Sequence, residues 1–200
     1  MNKFKRYVVL ILTLFVMLSI SASAQTTSNI GSSYPTFVKA VKNKKIRLKT
    51  AKVGRTTLVY DTKIPKKRVR AVKRWIKFLP KKVQKTARCV YFLRHSAYMK
   101  TGRKADLEDT LGYEVFEDRE IYFYSSSDYE EMQNTLFHEF GHAYDNRTGK
   151  YLKYSSSAKW DKISKGSGNR AEYFADCFSD YYGFLYTKES QFISRVLKYK

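Results

Sequence analysis

The stretch Leu136–Asp145, LFHEFGHAYD, constrains this chain more than any other, because it holds two of its three histidines four residues apart, with Glu139 directly after the first. On an α-helix, residues at that spacing lie one above the other, so His138 and His142 can offer their imidazoles to adjacent corners of a tetrahedral metal site. Glu139 is rotated by about 100° from His138. That sets its carboxylate beside a metal rather than on it, where it can take a proton from a metal-activated water. The preceding SSSDYEEMQN supplies a Ser or Asp cap and acidic residues for a first helical turn, which predicts a helix through the motif. The motif alone leaves another reading open: two histidines packed in a core with Glu139 in solvent.

A third protein ligand would complete such a site. The pattern in which Gly and His follow the second histidine by three and six residues fails here, because Asp145 and Thr148 hold those positions. A glutamate on a later helix is the other common solution. NRAEYFAD supplies Glu172, with Asp176 one helical turn further on the same face. Glu172 can bind a zinc ion while Asp176 accepts the outer N–H of a ligating histidine and so fixes its tautomer. Two acids at this spacing repel each other on a bare helix surface, which favours a nearby cation; ordinary surface acids are the alternative. His95 has no such company and is expected to be structural or exposed.

Ahead of these motifs, residues 1–24 have the basic start, the 14-residue apolar run YVVLILTLFVMLSI and the small pair Ala22 and Ala24 of a cleaved secretory signal. The run is short for a membrane span, which needs about 20 residues. Secretion is therefore the expected localisation, with residues 25–35 as a flexible Ser/Thr/Gly arm and residues 36–200 as a single domain. Cys89 and Cys177 could pair in an oxidising compartment or remain two buried thiols. Charge is segregated: residues 25–105 carry 24 Lys or Arg and one acid, Asp61, whereas residues 106–200 carry 12 basic and 17 acidic residues. The basic half, residues 36–105, suits an anionic cell-wall or membrane surface, or is simply a solvated basic face. No nucleic-acid signature accompanies it. Nothing fixes an oligomeric state; a monomer is the expectation.

TTLVYD and RCVYFLRH have strand composition, and YEVFEDREIYFY reads as a hairpin turning near Glu117–Arg119. Between the first two, Val69, Val72, Trp75, Ile76 and Leu79 recur at helical spacing from Pro65 to Pro80. After the hairpin only helices are expected. The order predicts an α+β fold: a small mixed or antiparallel sheet with one crossing helix, followed by a helical half.

At HEFGHAYD and NRAEYFADCF the chain resembles the anthrax lethal factor-like zinc metalloprotease family, which includes secreted Pro-Pro endopeptidases. The resemblance covers Leu136–Phe178, about a fifth of the chain. It implies a zincin, gluzincin-like catalytic half, one Zn2+ held by His138, His142 and Glu172, Glu139 as general base and Asp176 as a supporting carboxylate. Relatives carry a tyrosine seven residues before the third ligand as an oxyanion donor; here that residue is Lys165, which could serve, as could Tyr151 or Tyr154. The implied activity is a secreted zinc endopeptidase acting on extracellular or cell-surface proteins, with the substrate extended near Arg119–Tyr124 and an interest in proline-containing sequences. Two other readings stay open: a basic wall- or membrane-surface binding protein with a structural or degenerate zinc site, and a zinc hydrolase of non-peptide substrates.

Overall fold

The computed structural model describes residues 34–102, 104–146, 152–164, 169–183 and 188–198. The proposed signal, residues 1–24, lies outside them. Of the expected arm, Tyr34 and Pro35 instead begin helix α1 (Tyr34–Lys42). This helix forms because Phe37 and Ala40, three residues apart, are both buried against the sheet with Ile46.

Strands β1 (Leu48–Val53) and β2 (Thr56–Asp61) form an antiparallel hairpin. Its turn uses Gly54 at φ 59, a left-handed conformation that glycine adopts without steric cost. Helices α2 (Lys66–Phe78) and α3 (Lys81–Gln84) then cross to β3 (Cys89–Leu93), which runs parallel to β2. Short helices α4 (His95–Tyr98) and α5 (Lys104–Leu107) lead to β4 (Gly112–Val115) and β5 (Glu120–Tyr124). β5 inserts beside β3, so the sheet order is β1-β2-β3-β5-β4, with antiparallel outer pairs and parallel inner ones. The fold is thus α+β on a mixed five-stranded sheet, and among the described residues only helices follow it: α6 (Tyr129–Asp145), α7 (Ala158–Ile163), α8 (Arg170–Tyr182) and α9 (Lys188–Lys198).

Alternation along the strands gives the sheet two apolar faces. Leu58, Val90, Phe92, Ile121 and Phe123 point into the main core with α2, α6 and α8, while Leu93, Tyr122 and their neighbours meet α1 and α4. The expected strands and crossing helix are all present. β1 was not expected, because LKTAKV lacks an apolar alternation and buries only Val53. Cys89 and Cys177 are both free thiols. Burial pushes Cys89 up to about 11 and Cys177 up to about 12, which leaves both thiols protonated at neutral pH. Among the described residues no helix is long and apolar enough to cross a membrane.

Gly54 also lets α3 close under the hairpin. A Cβ there would fall 1.9 Å from Gln84 Oε1. That oxygen accepts the Arg55 N–H at 2.8 Å, while the same side chain donates to Leu79 O at 2.7 Å, so Gln84 cannot swing aside freely. Gly54→Ala is expected to cost about 1–3 kcal/mol, measured by urea denaturation.

Candidate metal centre

Helix α6 is started by Asp128, whose carboxylate accepts the N–H groups of Glu130 and Glu131 at 2.8 and 3.1 Å. Two acids in the first turn face the positive end of the helix dipole. Asn169 caps α8 in the same way, accepting from Ala171 N and Glu172 N at 3.2 and 3.3 Å, which fixes Glu172 in the first turn of α8. On its outer side α8 is held by the fully buried Trp160, whose ring meets Phe174 at 5.3 Å and whose Nε1–H donates to Arg170 O at 3.2 Å.

The two helices meet at Gly141, between the histidines. A Cβ there would lie 2.9 Å from Ala175 Cα, closer than real contacts allow, and a tight 3.0 Å from Phe178 Cβ, so the missing side chain sets the helix separation. At that separation two imidazole nitrogens converge on the Glu172 carboxylate. His142 Nε2 is 3.0 Å from His138 Nε2 and 3.4 Å from Glu172 Oε1, and His138 Nε2 is 3.2 Å from Glu172 Oε2. Each separation is close to the roughly 3.3 Å edge of a tetrahedron with ligand bonds of about 2.0–2.1 Å, with the two histidines meeting different oxygens of Glu172. His138 Nδ1 lies 2.8 Å from Asp176 Oδ1. With its proton on Nδ1, donated to Asp176, His138 turns a bare lone pair toward His142 and Glu172, an arrangement that a bound cation relieves. His138, His142 and Glu172 could therefore hold a divalent metal.

An open cleft of about 980 Å³ lies over this cluster, between β4 and helices α6 and α8. Gly112 on β4 permits the approach, since a Cβ there would sit 2.8 Å from Thr135 of α6. Glu139 lines the cleft yet is only 5 % exposed. Burial pushes its carboxyl up to about 8, partly offset by His142 and reinforced by Glu114. Glu114, on β4, also lines the cleft; burial pushes it up to about 7 although it accepts a hydrogen bond from Asn146 Nδ2 at 3.2 Å. Glu172, by contrast, is held at about 2, chiefly by its hydrogen bond from His142. For His142, burial opposes charge, but that hydrogen bond and the neighbouring carboxylates outweigh it and raise its pKa; burial, with His142 beside it, lowers that of His138.

The structure thus brings together His138, Glu139, His142, Glu172 and Asp176. Tyr154 is elsewhere: its ring is stacked on Tyr144 and Phe174, at 5.3 and 6.0 Å, and does not line the cleft. Tyr151, Lys165 and Thr148 lie outside the described residues. His95 is exposed at the start of α4, edge-on to Tyr124 at 4.9 Å, away from the cleft. Asp145 has a building role: its buried carboxylate accepts Ser155 N at 3.1 Å and also holds Tyr154 N and Ser155 Oγ, pinning the chain that leaves α6. The sheet edge beside the cleft is β4, whereas the strand expected there, β5, is flanked on both sides by β3 and β4. The hairpin pattern could not reveal this, because the insertion of β5 beside β3 is a tertiary choice. Glu114 and Asn146 were likewise missed; in YEVFEDRE nothing marks Glu114 as facing α6.

No model of a known protein family matches the chain, and a search of curated proteins finds no significant match.

Two outcomes follow from this geometry. In Gly141→Ala, the helix-propensity gain of about 1 kcal/mol is smaller than the clash with α8, so net destabilisation and a metal affinity reduced about tenfold or more are expected by titration with a competing chelator. In metal-free protein, Glu139 binds its proton more tightly folded than unfolded, so its contribution to stability is present below pH 4.5 and lost as pH rises to about 8. Thermal melts in chelator should show Glu139→Gln gaining stability over the parent across that window; Glu172, at about 2, titrates below it.

Proposed function

We propose that the chain is a zinc-dependent endopeptidase of the lethal factor-like kind, with a zincin-type helical half. The observation that carries this reading is the convergence of His138 Nε2, His142 Nε2 and the two oxygens of the Glu172 carboxylate at 3.0–3.4 Å below an open cleft lined by Glu139. Two imidazoles and one carboxylate are the donor set of a catalytic zinc site with an open fourth position. Zinc bound there supplies a Lewis acid that acidifies water and polarises a carbonyl.

The chain's own residues do the rest. Asp176 holds the His138 ring and its tautomer through Nδ1. Glu139 takes the proton of the attacking water and passes it to the departing amine. Its burial favours that role, because a carboxylate with little solvation is a stronger base, and a dication nearby brings its raised pKa back toward neutrality. Strand β4, at the end of the sheet, is the surface along which an extended peptide would pair through its backbone. Lys165 and Tyr151 are the proposed oxyanion donors, since Tyr154 is occupied in aromatic packing. With residues 1–24 as a cleaved signal, the substrates would be extracellular or cell-surface proteins.

The test is cleavage of a broad peptide library by the purified protein, loaded with zinc, beside Glu139→Gln and Glu172→Ala. Glu139→Gln is expected to keep stoichiometric zinc and to lose cleavage by roughly 10²–10⁴-fold; Glu172→Ala is expected to lose zinc as well. A zinc-loaded parent that cleaves no library peptide would sink the enzyme reading.

A further inference from the structure

Helix α2 turns one face wholly into the core, with Val69, Val72 and Ile76 buried, and leaves the other to solvent. Lys66, Arg70, Arg74 and Lys77 are all exposed on that outer side, at spacings of four, four and three residues. Their Cα atoms therefore climb one stripe in steps of roughly 6, 6 and 4.5 Å along the axis. Lys81 and Lys85, which begin and cap α3, are exposed as well. Residues 62–105 contain no acid, and none of these six cations forms an ion pair among the described residues. Neighbouring cations are engaged: Arg68 donates to Ser125 Oγ at 3.1 Å, and Lys73 sits 5.5 Å from the Tyr60 ring centroid. The outer stripe is thus a row of like charges that the fold itself leaves uncompensated.

We infer that this stripe is a binding surface for a linear phosphodiester polymer without bases, docked along α2. A row of regularly spaced cations matches a chain with one negative charge per repeat, and guanidinium forks at Arg70 and Arg74 suit phosphate oxygens. A lipid bilayer fits less well, because the apolar face that would enter it is buried in the core; the one large apolar side chain exposed here is Phe78, at 54 %, itself edge-on to Tyr182 at 6.0 Å. Single-stranded nucleic acid fits less well because the stripe carries no row of aromatic platforms for bases. The surface lies outside the cleft, so it goes beyond the peptidase reading and stands without it.

The experiment is fluorescence-anisotropy titration of the purified protein with labelled poly(glycerol phosphate). With four phosphates neutralised, affinity should fall about fiftyfold between 50 and 200 mM salt. Arg70→Glu/Arg74→Glu/Lys77→Glu should weaken binding at least thirtyfold at low salt by roughly the same electrostatics, with unchanged far-ultraviolet circular dichroism. Should that variant fail to fold, the glutamine triple variant at the same positions must weaken binding by at least fivefold, roughly. Lys44→Glu/Lys45→Glu/Lys49→Glu makes the same change in net charge at another exposed site. An equal loss in that control would reduce the effect to net charge and overturn the proposal. Tighter binding per charge to phosphatidylglycerol vesicles, or to poly(dT), would also overturn it. Glu139→Gln should bind the polymer as the parent does.

Discussion

Everything at the candidate centre depends on how closely α6 and α8 approach at Gly141. A methyl group at that position would press on Ala175 Cα and Phe178 Cβ, and the helices would part. Two imidazoles and the Glu172 carboxylate meet at 3.0–3.4 Å, with Asp176 2.8 Å from the far side of the His138 ring, and small changes in helix separation would dissolve the cluster. Caps fix each helix along its axis, Asp128 for α6 and Asn169 for α8, so that Glu172 meets the histidines in register. Trp160 closes the packing from behind α8. The glycine within the motif is therefore as much a part of the centre as the candidate ligands around it.

Charge is organised by the same framework. A molecule with a formal net charge of +21 lines its cleft with Glu114, Glu117, Glu139, Glu172, Asp176 and Asp180, and with no lysine or arginine among the described lining residues. Most of the cations belong to the N-terminal half, where those on its outer faces are screened by solvent. Because α2 spends its apolar face on the main core, its cations have nowhere to point but outward. Two surfaces of opposite sign follow, an acidic cleft and a basic outer face.

Glu139 and Glu114 show the energetic tension within the cleft. Each is a carboxyl group removed from water and held near another, so each is driven toward its neutral form. Glu172 escapes that pressure because His142 donates to it. Within a few ångströms the fold thus separates a carboxylate that stays ionised, fit to be a ligand, from one whose proton affinity lies near neutral pH, fit for proton transfer.

Sequence alone determined what is local. The spacing of His138, Glu139 and His142 on one helix, Glu172 and Asp176 one turn apart on another, and the apolar stripe of α2 are all written in nearest neighbours along the chain, because helical periodicity turns spacing into direction. TTLVYD and the hairpin turn at Glu117–Arg119 were legible for the same reason. What the tertiary structure decided is what depends on residues far apart meeting. β1 was hidden, since an exposed edge strand needs no apolar alternation. So were the insertion of β5 beside β3 that makes β4 the edge, the turning of Glu114 toward Asn146, and the free state of Cys89 and Cys177. The withdrawal of Tyr154 into an aromatic stack belongs here too. Such features rest on packing between distant segments, and no local periodicity encodes which segments will touch.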